Sequence, residues 1–220
     1  MSKYCVPAWS REGLPCPHGE KVLLPLSTFT MPSSSTGLDW LAAAFCTLPF
    51  DWVLVVLLRG WLVRGLWELA LGLLILVAYI VLVALQSGLL HEPRPAASCL
   101  CSCGMPSGHA VVCMSLMTFL WCELCSRKGP APPQRCGFCA LVGIVHLPVT
   151  WAKVHLHDHT VLQVSVGTLV GVLLGGCFFL ALRRWYRHAG SEFCKTWGLI
   201  DNYGDEELHA SKTDGYQQAP

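Results

Sequence analysis

Two short stretches collect the side chains of this chain that could do chemistry. The first is His91–Ala110, HEPRPAASCLCSCGMPSGHA, which lies between two long apolar runs. Pro106-Ser107-Gly108-His109 leads straight into the run AVVCMSLMTFLW, which places a hydroxyl, a side-chain-free amide and an imidazole at a helix N-terminus. The unpaired N–H groups and partial positive charge of such a terminus favour an anion. Arg94 adds a planar fork able to bond two oxygens of a phosphoryl group at once. The same residues also read as a proline-rich turn in which Ser107 caps the following helix.

The second stretch is Lys153-Val-His155-Leu-His157-Asp158-His159, which opens the last apolar run. If the helix begins early, His155, His159 and Gln163 fall on one face, because residues three or four apart are neighbours on a helix. Ionisable groups this close to hydrocarbon are expensive and commonly mark function. Interfacial histidines at a helix start are the plainer reading. Three His and one Asp also suit zinc, but alternating spacing does not give converging ligands. No metal and no cofactor are therefore expected.

The elements that must carry these stretches follow from composition. Of 220 residues, 53% are hydrophobic and 13% charged, roughly half the usual charge fraction of a soluble domain. Net charge is near zero, which gives no reason to expect nucleic acid. The expected fold is an all-α polytopic transmembrane helix bundle of about five spans: Leu38–Leu58, Leu66–Leu90, Ala110–Cys125, Cys136–Trp151 and Val161–Leu182. Asp39, Pro49 and Asp51 make the first the least clean. Residues 1–37 are polar, lack the pattern of a secretory signal, and read as a flexible or re-entrant N-terminal segment. Residues 126–135 (SRKGPAPPQR) read as a loop, and residues 183–220 as a polar cytosolic tail, disordered from Gly204.

Arg59 and Arg64 follow the first span, Arg127, Lys128 and Arg135 the third, and Arg183, Arg184 and Arg187 the fifth. The positive-inside rule puts these segments in the cytosol and both chemical stretches together on the other side. There, Cys99, Cys101 and Cys103 are open to disulfides; such closely alternating cysteines pair poorly with one another, which leaves a bridge to Cys5 or Cys16 open. Cys122-x2-Cys125 and Cys136-x2-Cys139 have zinc-like spacing, but read better as small apolar residues at the ends of two spans.

Arg94-Pro95, Pro106-Ser107-Gly108-His109, and Lys153 followed by His159 resemble the three-part signature of the type 2 phosphatidic acid phosphatase superfamily, whose motifs run Lys-x6-Arg-Pro, Pro-Ser-Gly-His and Ser-Arg-x5-His-x3-Asp. Within it the chain is most similar to the dolichyl diphosphatase branch, through Glu92-Pro93-Arg94-Pro95, Gly104-Met105-Pro106-Ser107, His159-Thr160, Gln163-Val164, Gly167 and, more loosely, Glu192-Phe193. The likeness covers roughly residues 80–200. It implies that residues 38–182 form a transmembrane lipid phosphatase domain with that superfamily's core. It also implies a metal-independent hydrolase of the endoplasmic reticulum membrane, with its site facing the lumen. Its substrate would be a polyprenyl (dolichyl) diphosphate, and its product would support dolichyl phosphate recycling for N-glycosylation.

By the same resemblance His159 is the nucleophile and His109 the general acid. Arg94, Ser107, Gly108 and Lys153 hold phosphate, and Gln163 orients the nucleophilic histidine. The chain departs from the family at Ser87, where the first lysine would fall, at Ala152-Lys153 in place of Ser-Arg, and at Gln163 in place of Asp. These departures bear on rate and phosphate affinity rather than on fold. They keep two other readings open: a catalytically weak or inactive lipid-binding relative, and a lipid phosphatase or head-group transferase of other specificity.

Overall fold

The computed structural model describes residues 5–24, 26–126 and 133–199. After a short turn of helix, α1 (Ala8–Arg11), an antiparallel hairpin pairs β1 (Gly19–Leu24) with β2 (Ser27–Pro32), in register from Gly19 opposite Pro32 to Leu24 opposite Ser27. Seven helices follow: α2 (Gly37–Val63), α3 (Leu66–Gly88), α4 (Gly108–Ser126), α5 (Pro133–His146), α6 (Pro148–His155), α7 (Val161–Trp185) and, after a π-helical turn at Tyr186–Gly190, α8 (Ser191–Trp197). Five stretches are long and apolar enough to cross a membrane: Gly37–Gly60, Leu66–Gly88, Gly108–Ser126, Cys136–His155 and Val161–Trp197. The chain is a multi-pass helical protein with many large apolar side chains on its outer face, among them Leu62, Leu76, Ile144 and Leu173.

The N-terminal segment departs from the expected flexible or re-entrant stretch. Disulfides Cys5–Cys103 and Cys16–Cys99 fasten it to the loop between α3 and α4. The inner face of β2 then buries Phe29 and Met31 against Ala42, Ala43 and Cys46 of α2, Ala152 of α6 and Leu156 just after it. Asp39 does not spoil the first span. It occupies the third helical position and completes a capping box with Thr36, so each side chain satisfies a backbone N–H that the helix start leaves unpaired.

Three span boundaries also move. α2 continues past Leu58, so Arg59 lies on the helix and pairs loosely with Glu68 of α3. The fourth span runs to His155 but is broken into α5 and α6 at Pro148, whose missing N–H suits the first turn of the new helix. α5 already begins at Pro133, inside the expected loop, whose residues 127–132 lie outside the described ones. The tail is helical beyond Arg183 through α7 and α8; its expected disorder from Gly204 lies outside the described residues.

α4 and α7 pack closest. Gly167, Gly171 and Gly175 recur every four residues along α7, and a Cβ on them would sit 2.8, 2.6 and 2.4 Å from the carbonyl oxygens of Ser107, Val111 and Ser115. Only hydrogen at these positions lets the two backbones meet, the close approach that small residues allow between membrane helices. At the far end Arg183 donates to Glu123 at 3.0 Å. The close packing of α4 on α7 brings His159, two residues before α7, to the start of α4, where Ser107, Gly108 and His109 lie.

Candidate active site

His159 stands in the short link between α6 and α7. α6 stops at His155; His157 takes a left-handed backbone (φ 55°), and the N–H groups of Asp158 and His159 both return to the Lys153 carbonyl at 3.1 Å. Thr160 then caps α7, in a box with Gln163. This turn overrides the expected alignment of three residues on one helix face. His155 is stacked on Trp151 and bonded to Asp39 at 3.0 Å, away from His159, whereas His159 and Gln163 do meet.

The His159 ring is buried, and its bonds fix its tautomer. Nε2 lies 2.7 Å from Nη1 of Arg94. A guanidinium can only donate, so Nε2 must carry the lone pair. Nδ1–H then donates to the Gly104 carbonyl at 2.9 Å and, more weakly, towards Gln163 Oε1 at 3.3 Å. Burial pushes the ring well below the ordinary histidine range, and the charges of Arg94 and Lys153 push the same way; the bonds to Gly104 and Gln163 oppose them. His159 is therefore a neutral imidazole with a directed lone pair.

Arg94 is equally well fixed. Its Nε donates to the carbonyl and hydroxyl of Ser102, each at 3.2 Å, its Nη2 to the Ser102 hydroxyl at 3.1 Å, and its Nη1 also to the Asp158 carbonyl at 3.0 Å. Burial lowers it to about 10, with Asp158 opposing, which leaves it a cation at neutral pH. A cavity of ≈ 350 Å³ opens at Arg94, lined also by Val6, Arg11, Pro93, Pro95 and Ser98.

Ser107 is fully buried, and its Oγ has no hydrogen-bond partner among the described residues. It is therefore not spent as a helix cap, the simpler of the two readings open for it. Its main-chain N–H donates to the Gln163 carbonyl at 3.1 Å, which ties the start of α4 to the start of α7. Gly108 opens α4, where first-turn N–H groups lack helical acceptors. Gln86 of α3 donates to the Pro106 carbonyl at 2.9 Å and holds the turn.

His109 sits edge-on to Phe50, with ring centroids 5.0 Å apart, and its Nε2 lies 3.1 Å from Ser27 Oγ. The single Ser27 proton goes to the Cys46 carbonyl at 2.9 Å, so Nε2–H of His109 is the donor to Ser27 and Nδ1 is left as the second nitrogen. Lys153 is buried beside the site rather than open towards it. It pairs with Asp158 Oδ2 at 3.0 Å and donates to the Thr28 carbonyl; Asp158 Oδ1 accepts in turn from the Thr30 N–H at 3.0 Å.

The structure thus joins Arg94 and Gln163 directly to His159 and sets Ser107, with Gly108 next to it in sequence, against Gln163 through the Ser107 backbone. Lys153 is linked to them through Asp158. Sequence reasoning missed Ser27, Ser102, Gln86 and the Gly104 carbonyl. The two serines and Gln86 act through contacts between distant segments, and a carbonyl has no side-chain signature. The Gly-x3-Gly-x3-Gly of α7 was readable. So was the pairing of the alternating cysteines with Cys5 and Cys16, which the structure realises as two bridges.

Among the described residues no group of three or more His, Cys, Asp or Glu could hold a metal ion. Between α6 and α7 a largely apolar groove of ≈ 530 Å³ runs past Trp151, Val154, Val161, Val164 and Leu169. Compared with protein-family models, with curated proteins and with solved structures, the chain matches none.

Proposed function

We propose that this protein is an integral membrane lipid phosphatase that hydrolyses a polyprenyl diphosphate to the monophosphate through a phosphohistidine. The observation that carries this reading is the His159 ring: buried, neutral, with Nδ1–H held by Gly104 and the Nε2 lone pair facing a buried Arg94. Such a ring is an activated nucleophile beside a fixed cation. An entering phosphoryl group would take over the Arg94 N–H that now rests on Nε2, which turns the lone pair towards phosphorus. The unpartnered Ser107 hydroxyl and the first-turn N–H groups of α4 supply further donors for its oxygens.

In the first step, with the anionic diphosphate bound and His109 protonated at Nδ1 beside it, Nε2 of His159 bonds to the terminal phosphorus, the bridging P–O bond breaks, and His109 gives its Nδ1 proton to the leaving oxygen. In the second, His109 takes a proton from water as the water oxygen attacks the phosphohistidine. Inorganic phosphate leaves, and both histidines return to their starting states. Arg94 provides the positive charge that developing oxyanions need, and the groove between α6 and α7 offers an apolar path for a lipid tail beside the site. We further place the protein in the endoplasmic reticulum membrane, with the site on the lumenal side, where dolichyl phosphate recycling for N-glycosylation would use it. The two disulfides on the site's side of the bundle support an oxidising compartment.

One observation favours a slower variant of this chemistry. Lys153 is engaged by Asp158 and Thr28, and Ser87 bonds to its own helix at Val83, so neither adds a free cation to the phosphate. The test is phosphate release by purified protein from a polyprenyl diphosphate, a lipid monophosphate and a soluble phosphate ester, with chelator present and with an added acceptor alcohol. Release confined to the diphosphate, absent in His159→Ala, is the expected result. Transfer to the alcohol would identify a head-group transferase, and full activity of His159→Ala would end the covalent mechanism.

A further inference from the structure

Gln163 is the hub behind His159, and what holds Gln163 is Glu92. The Gln163 side chain is fully buried. Its Nε2 donates to Glu92 Oε1 at 2.9 Å and to the Pro93 carbonyl at 2.8 Å. Both neighbours can only accept, so the amide cannot be turned over: NH2 faces Glu92, and the oxygen faces the Thr160 N–H and His159 Nδ1. The main chain of Glu92 acts on the other acceptor. Its carbonyl receives the Gly104 N–H at 2.8 Å, and the Gly104 carbonyl in turn receives His159 Nδ1–H.

We propose that Glu92 is a positioning residue for His159: its main chain and its carboxylate together fix both acceptors of the Nδ1–H, and its charge reaches the ring through the Gln163 amide. This rests on reading His159 as the nucleophile. The ring becomes cationic when phosphorylated, and the charges already acting on it, Arg94 at 2.7 Å and the more remote Lys153, are both positive. Asp158 spends its carboxylate on Lys153 and Thr30 and offers Arg94, beside the ring, only a backbone carbonyl. Glu92 is the carboxylate joined to the ring by a continuous hydrogen-bonded path. A glutamine alone orients the imidazole; a glutamine polarised by a carboxylate also stabilises its positive form, since hydrogen bonds involving an ionised group are the stronger ones.

The test compares wild type, Glu92→Gln and the exchanged pair Glu92→Gln with Gln163→Glu, each as full-length protein in lipid nanodiscs. Two quantities are read: the pH–rate profile for a polyprenyl diphosphate, and the titration of His159 followed by nitrogen NMR of histidine-labelled protein. Glu92→Gln keeps the acceptor and removes the charge. It should lower kcat about tenfold at unchanged KM, and move both the acid limb and the His159 titration to lower pH. In the exchanged pair a carboxylate at 163 accepts directly from His159 while the amide at 92 donates to it, so the titration should return to the wild-type pH or above. A loss of kcat with the titration unmoved, or a shift that the exchange does not reverse, overturns the proposal. Should Glu92→Gln not fold, the exchanged pair decides alone: His159 titrating below wild type would refute it. Absence of turnover in wild type would sink the lipid phosphatase reading but leave the NMR comparison intact.

Discussion

Arg94 donates to Nε2 of His159 at 2.7 Å, so the lone pair that the proposed mechanism would use is covered by the cation proposed to hold the phosphate. The fork is locked from behind by Ser102 and from the side by the Asp158 carbonyl. A lysine keeps the charge but cannot span those partners. Arg94→Lys is expected to lower kcat/KM by roughly a hundredfold, mostly through KM, with the fold intact. Phosphate release at several substrate concentrations checks this, and a variant within twofold of wild type would refute the assignment.

The pH dependence has a definite sign. Burial and two neighbouring cations lower His159 in the folded protein, whereas in the unfolded chain it titrates near the ordinary histidine value of about 6.5. Below that pH the unfolded state binds a proton that the folded state refuses, so this ring favours unfolding as the pH falls from about 6.5 towards the folded value. For activity, the consequence is an acid limb of kcat/KM well below 6.5. Thermal denaturation and initial rates across pH test the two statements separately. An acid limb at or above 6.5 would mean that His159 is not the group that must be deprotonated.

Gly104 leaves no room for a side chain. A Cβ there would sit 2.6–2.8 Å from the oxygen, nitrogen and carbon of the Gln163 amide. Gly104→Ala must therefore push Gln163 off His159 and shift the carbonyl that holds Nδ1. The expected outcome is a kcat loss of at least tenfold with little loss of stability, because the displaced contacts are local. Gln163→Leu should slow turnover in the same way. Alanine at 104 with wild-type kcat would show that the Nδ1–H contacts do not matter.

Along α7 the expectation is different. Gly171→Leu would drive a side chain into the Val111 carbonyl and the Met114 side chain, so α4 and α7 must separate. Activity should disappear together with the folded state, seen as loss of the monodisperse peak on size exclusion. A folded but inactive Gly171→Leu would contradict the packing.

The disulfides make the fifth case. They close nested loops of 98 and 83 residues; either alone is worth about 4.5 kcal/mol on the chain-entropy account, and the second adds less once the first has formed. Reduction, or the pair Cys16→Ser and Cys99→Ser, should lower the melting temperature. It should also reduce activity more than stability alone explains, because the hairpin contributes Ser27 to His109 and the Thr28 carbonyl to Lys153. Full activity in reducing buffer would show that the hairpin is dispensable.

Spans such as Leu66–Gly88 were legible because hydropathy over some twenty residues is a strong signal. Arg94, Ser107 and His109 stood out because chemically capable side chains at a helix start in an apolar protein have few structural excuses. The rest resisted for identifiable reasons. β1 and β2 hide in a polar segment whose burial depends on two disulfides and on the faces of α2 and α6. His155 was misplaced because the left-handed turn at His157 stops the helix that would have aligned it. Lys153 kept its motif position but gave its charge to Asp158, a partner five residues away whose side chain could equally have faced solvent.

The hairpin also governs when the molecule can work. Its anchors at Cys99 and Cys103 are synthesised long after Cys5 and Cys16, and its packing surface on α6 comes later still. A nascent chain with only its first two spans inserted therefore lacks both anchors of its N-terminus, the α6 surface the hairpin packs on, and His159. On the proposed mechanism, turnover would require both the final helix and a hairpin seated on α2 and α6, so it would report completed membrane insertion.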